Sequence, residues 1–262
     1  MAQRFDLYQP GKSYLYHLDP RTKVIAVLAV FVVSVLFTNP VFLAPVFFTV
    51  ILALVLGRVP YQRVAILLKS LAVLVVISLL LWPLIYEHGT VLATFGPFRV
   101  TQGGVLYGIG MSFRILDMVI VPIALFLTTP QPDFVAALRR LGLPYKATFA
   151  LSTSLRFLPT IVGIGESIVE AQRARGLDPN SGGPIRRLRS YSRILGPLVI
   201  TAIRIAQQLS LAVEARAFSI SRQRTYLRVL TFGRMDVGVL AGIAVLMVAA
   251  LVMRVLGFGV LA

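Results

Sequence analysis

The sequence has no cysteine, only two histidines, and ten acidic residues among 262. The lack of cysteine excludes disulfides and thiolate metal ligands. His17 and His88 fall on opposite predicted sides of a membrane, so they do not form one metal site. No HExxH, GxSxG or Walker-A pattern occurs. Ser78 and Ser112 lie in apolar segments with no base placed beside them, which argues against an intramembrane hydrolase. The expectation is a chain with no metal, no cofactor and no catalytic residue. Charge of either sign is also scarce, at 14% of residues against roughly 25% in soluble domains. With 57% hydrophobic residues, most of the surface does not face water, and the expected class is an all-α polytopic membrane protein.

Five apolar segments approach the length needed to cross about 30 Å of hydrocarbon: 24–37, 41–56, 67–86, 105–128 and 237–261. The segment before the first, MAQRFDLYQPGKSYLYHLDPRTK, is too polar for a cleaved signal sequence, so the first apolar segment is expected to remain as a span. The net charge of +16 alternates between loops. The 38–40 turn carries none, 57–69 holds Arg58, Arg63 and Lys69, and 87–104 holds only Arg99. The stretch 129–235 holds 16 arginines and lysines. That alternation predicts the N-terminus and the 129–235 stretch inside and the C-terminus outside. It also argues against nucleic acid, which calls for one basic face interleaved with aromatics. The resulting division is an N-terminal membrane domain of four spans at 1–128, a cytoplasmic helical module at 129–235, and a final span at 236–262.

The middle stretch is punctuated as helices. TTPQPDFVAALRRLGLP reads as a short amphipathic helix stopped by Gly142 and Pro144. Pro144 and Pro184 each open a long helix at a position where the missing N–H costs nothing. The first runs to Arg175 before Gly176 and Pro179, and the second to about Arg216 or Ser219. Each has an internal proline, Pro159 or Pro197, where a kink is expected, and each has arginine at mid-length (Arg156; Arg193 and Arg204). Such helices are better suited to the cytoplasmic face of the membrane than to its interior; two spans interrupted by charge are the alternative. Small residues at Gly163, Gly165, Ala202 and Ala206 would let them cross closely. Both end alike, at Ala174-Arg175-Gly176 and Ala215-Arg216-Ala217. One arginine in a last helical turn is explained by the helix dipole. Two matched ends suggest more. Their small neighbours leave each guanidinium free to enter an acidic groove on one of two similar partner subunits, where its planar fork binds carboxylates bidentately. Glu170, Arg173 and Glu214 are the supporting charges near those ends, and Glu170 and Arg173 are spaced to pair.

Two other polar features stand out. In LDPRTK, Asp19 is expected to cap the first span, with Pro20 at its first position and Arg21 and Lys23 at the interface. Arg114 and Asp117 lie three residues apart inside the fourth apolar segment. Charge there is costly, so the two are expected to pair as a lock in the bundle; an ion relay is the alternative.

Four segments carry a resemblance: HLDPRTK at 17–23, LRRLGLPYKATFALSTSLRFLPTI at 138–161, AQRARGLD at 171–178 and EARAF at 214–218. In this order the chain resembles the EcfT/CbiQ family, the transmembrane components of energy-coupling factor (ECF) transporters. The resemblance implies a prokaryotic cell-membrane protein in which Arg175 and Arg216 end two coupling helices docked on two ATPase subunits. A separate S component would capture a vitamin or transition-metal ion, and this chain would transmit ATP-driven motion to it. The second end has Ala217 where the first has Gly176, a departure that bears on helix-end geometry there. A permease conducting substrate through its own spans is the competing reading.

Overall fold

The computed structural model describes residues 11, 13–58, 61–86, 90–95, 98–176, 183–216, 230–257 and 259, and among them the chain is helical apart from one short hairpin. Its described residues form two compact units, one from 6–143 with 230–262 and the other from 144–229.

The first unit opens with a single turn, α1 (Tyr14–His17), followed by α2 (Pro20–Leu36) and α3 (Pro40–Leu56). The two longer helices start by the same device. Asp19 and Asn39 accept the backbone N–H two residues on, from Arg21 at 2.8 Å and Val41 at 3.0 Å, and a proline stands at the first helical position. The expected cap at Asp19 is therefore present. α4 (Tyr61–Ile85) leads into β1 (Val91–Phe95) and β2 (Phe98–Thr101), an antiparallel pair with Thr94 opposite Arg99. This hairpin stands where the sequence suggested only a loop. α5 (Gln102–Thr128) follows, its start capped by Thr101, whose hydroxyl accepts from Gly104 N–H at 3.1 Å and donates to the Tyr86 carbonyl at 2.7 Å.

α5 is the spine of the unit and packs against α2, α3 and α4. On the α3 side Leu54, Ile120 and Leu127 are buried with Phe47, Ile51, Leu68 and Ile123 around them. On the α4 side the helices approach closely: a Cβ at Gly104 would lie 2.9 Å from the Pro83 Cα and the Tyr86 carbonyl oxygen. α6 (Gln131–Arg140) lays its apolar face on α2, where Ala137 joins Val24 and Leu125. α9 (Arg234–Val255) also packs on α2. Beyond its end, the Gly259 carbonyl accepts the Thr38 and Asn39 N–H groups at 3.1 and 3.3 Å, which fastens the tail to the α2–α3 turn. Large apolar side chains such as Val73, Leu80, Val245 and Val248 stay exposed, as lipid-facing positions do.

The second unit is α7 (Tyr145–Ala174) and α8 (Pro184–Ala215), which pack on each other. At 30 and 32 residues they are roughly 45–48 Å long, and both continue through their internal prolines.

Among the described residues, five helices are long and apolar enough to cross a membrane: α4, α5, α7, α8 and α9. The number matches the sequence expectation, but the set differs. α2 and α3 have 17 residues each, about 26 Å, whereas α7 and α8 contain apolar windows despite their arginines. The fold is that of an all-α polytopic membrane protein.

Candidate functional site

The two arginines singled out in the sequence occupy equivalent structural positions. Arg175 is the C-cap of α7 with φ −87° and ψ 11°, and Arg216 is the C-cap of α8 with φ −91° and ψ 14°. Both are exposed, as are Ala174, Gly176, Ala215, Glu170, Arg173 and Glu214. Gly176 has φ +82° and nothing within 4 Å of where a Cβ would be, so the chain turns away through the left-handed region after Arg175. Ala217 lies outside the described residues. The arginines' own backbone angles nevertheless agree within a few degrees, so the Gly/Ala difference does not alter the last helical residue.

Among the described residues neither guanidinium has an ion-pair partner, and Glu170 and Arg173 do not pair either. Glu214 accepts from the Ser210 hydroxyl at 3.1 Å, a bond along one face of α8. Between the two helices, a Cβ on Gly165 would make ordinary contact with Leu198 at 4.0 Å, while Gly163 has no neighbour there. Of the small residues expected at a crossing, Gly165 is therefore the glycine that meets α8. From that contact the helix continues ten residues to Arg175 on α7 and eighteen residues from Leu198 to Arg216 on α8, arms of roughly 15 and 27 Å.

The other unit contains a buried polar hub that the sequence indicated only in part. Asp236, in the first turn of α9, is 3% exposed. Its Oδ1 accepts the Asp19 N–H at 2.8 Å and the Thr22 hydroxyl at 3.1 Å, and its Oδ2 accepts the Gly233 N–H at 2.9 Å. Arg21 approaches Asp19 at 3.7 Å, lies 5.7 Å from the Phe232 ring, and donates to the Leu230 carbonyl at 3.4 Å. Lys23, almost wholly buried, donates to the Thr128 carbonyl at 3.0 Å and to the Thr129 hydroxyl at 3.2 Å. HLDPRTK thus joins the start of α2 to the end of α5 and the start of α9. Lys23 and Arg21 anchor the interior of the unit rather than only the membrane interface. In the sequence Asp236 is one acid at the edge of an apolar run, and two of its three partners, Asp19 and Thr22, lie more than 200 positions away.

Arg114 and Asp117 do not pair. Arg114 donates to the Phe37 carbonyl at 2.6 Å and reaches the Val35 carbonyl at 3.5 Å, while both oxygens of the fully buried Asp117 lack a hydrogen-bond partner. The reason is the end of α2. The last carbonyls of a helix have no partner within it and carry the negative end of its dipole, so they attract the guanidinium away from the carboxyl one turn along. No group of three or more His, Cys, Asp or Glu side chains that could hold a metal occurs among the described residues.

Comparison with known proteins gives these features a context. The CbiQ family model, described as a cobalt transport protein, matches residues 11–227. The energy-coupling factor transporter transmembrane protein EcfT of Bacillus subtilis (strain 168) is 32% identical over 248 residues, covering 91% of this chain and 93% of the relative. The EcfT proteins of Listeria innocua and Heliobacterium modesticaldum are each 33% identical, over 91% and 90% of this chain and 93% and 92% of their own lengths. The chain belongs to the CbiQ/EcfT family, as a transmembrane component of an energy-coupling factor transporter and not an enzyme.

Proposed function

We propose that this chain couples two ATP-hydrolysing subunits to a membrane-embedded S component that captures a vitamin or transition-metal ion. Arg175 and Arg216, flanked by Ala174 and Gly176 and by Ala215 and Ala217, are the docking points, one for each ATPase. Residues 129–235 are the coupling module, held between the membrane segments 1–128 and 236–262, with the N-terminus and both arginine ends cytoplasmic and the C-terminus outside. The observation that carries this reading is the match between the two helix ends. Each stops on an exposed arginine with the same backbone conformation and without an ion-pair partner among the described residues. A guanidinium in that state retains its full bidentate capacity for a carboxylate on a partner.

The test is recovery of partners with the tagged full-length chain from its native membranes. The wild type is expected to bring down ATPase subunits and a small membrane protein, and Arg175→Ala with Arg216→Ala to lose the ATPases by tenfold or more. Equal recovery of ATPases by the double variant, or equal transport in cells, would remove the assigned roles.

A further inference from the structure

The chain leaves the first unit after residue 143 and re-enters it at 230. Both crossings are tied to one short segment, HLDPRTK at the start of α2. On the outgoing side Lys23 Nζ donates to the Thr128 carbonyl at 3.0 Å and to the Thr129 hydroxyl at 3.2 Å, at the junction of α5 and α6. On the returning side Arg21 donates to the carbonyl of Leu230, and Asp236 accepts from the Asp19 N–H and the Thr22 hydroxyl. The two sides also meet in one apolar cluster, where Val24, Leu125 and Ala137 are buried together with Phe134 and Leu230 packed against them. Little slack is left before the outgoing crossing. α6 closes on itself, with the Leu143 N–H bonded to the Leu138 carbonyl at 3.1 Å and Gly142 at φ +110°, and α7 begins at Tyr145.

We propose that HLDPRTK is the fulcrum of coupling: Arg21, Thr22 and Lys23 are positioning residues that hold both crossings on α2, so that a displacement of the arginine-ended helices enters the first unit as one movement of α2. The inference rests on the coupling role proposed above for Arg175 and Arg216. Movement passes between distant sites through packed and hydrogen-bonded elements, and a slack connection would absorb it. Here each connection is bonded to α2 close to its crossing, so neither shifts without the other. The motif is therefore more than a helix start. Its cap needs only Asp19 and the Arg21 N–H, whereas the side-chain hydrogen bonds of Arg21, Thr22 and Lys23 all go to the two crossings.

Pulsed electron resonance on the full-length chain in lipid nanodiscs tests this. The chain has no cysteine, so Leu28→Cys on α2 and Ser152→Cys on α7, both exposed, carry spin labels alone. Without substitutions in the motif the expected result is one narrow distance distribution. Lys23→Met, or the milder Thr129→Val, loosens the outgoing side, and Arg21→Ala with Thr22→Val loosens the returning side. Each is expected to broaden the distribution about twofold, because a freed connection regains conformational freedom, while ATPase subunits are still recovered through the intact arginine ends. Leu54→Ala, a core truncation away from the motif, lowers the Tm and is expected to leave the width unchanged, which separates positioning from mere stability. A labelled chain with an intact motif whose distribution is as broad as in the loosened variants, or broadening as large in Leu54→Ala, would overturn the fulcrum alone. Failure of the wild-type chain to recover ATPases would overturn the coupling role itself, and the fulcrum with it, whatever the distances.

Discussion

Two pairs of cations at helix C-termini, one pair in each unit, are used in opposite ways. In the first unit Lys23 of α2 caps the end of α5, and Arg114 of α5 caps the end of α2. Each charge is used up on a neighbour's carbonyls, and together they fasten the pair at both ends. In the second unit Arg175 and Arg216 end their own helices and remain exposed. The helix dipole attracts cations in every case. What differs is how much hydrogen-bonding capacity is left over. A cation buried against carbonyls contributes to stability, whereas one displayed at an open tip is available to a partner.

Substitutions in the two units should separate along that line. The largest loss of stability is expected for Asp236→Ala, which removes the acceptor of the Asp19 N–H, the Thr22 hydroxyl and the Gly233 N–H. Leaving such donors buried and unsatisfied costs about 3 kcal/mol or more, seen as a large fall in the unfolding temperature of the purified chain. Lys23→Met comes next, at about 2 kcal/mol, because it strands the Thr128 carbonyl and Thr129 hydroxyl. In the second unit Gly176→Ala puts a Cβ on a residue at φ +82°, at about 1 kcal/mol. Since nothing lies within 4 Å, the cost is conformational, and ATPase recovery with the variant should report whether that turn presents Arg175. The smallest change in unfolding temperature is expected for Arg175→Ala with Arg216→Ala, within about 0.5 kcal/mol for surface substitutions, although it is the variant that loses partners. A double arginine variant as unstable as Asp236→Ala would erase the distinction between the units.

The helix boundaries were legible because they are written in local chemistry. Asp19-Pro20 and Asn39-Pro40 state the start of α2 and α3, Pro184 that of α8, and Gly176 the end of α7, each through a cap or a fixed φ that needs no distant partner. The matched arginine ends were legible for the same reason. What the sequence did not reveal depends on partners far along the chain. Asp236 is an unremarkable acid until α9 is laid on α2. Arg114 and Asp117 looked like a pair by spacing, but the orphan carbonyls at the end of α2, some 77 positions earlier, claimed the arginine. The 91–101 hairpin was missed because its strands are five and four residues long, too short for an alternating pattern to stand out.

The reciprocal capping of α2 and α5 also bears on how such a chain can change length. One residue inserted between positions 23 and 37, or between 114 and 128, would rotate everything beyond it by about 100° and advance it about 1.5 Å. Only one of the two capping cations could then still face its carbonyls. Insertions and deletions should therefore be barred from these two matched segments.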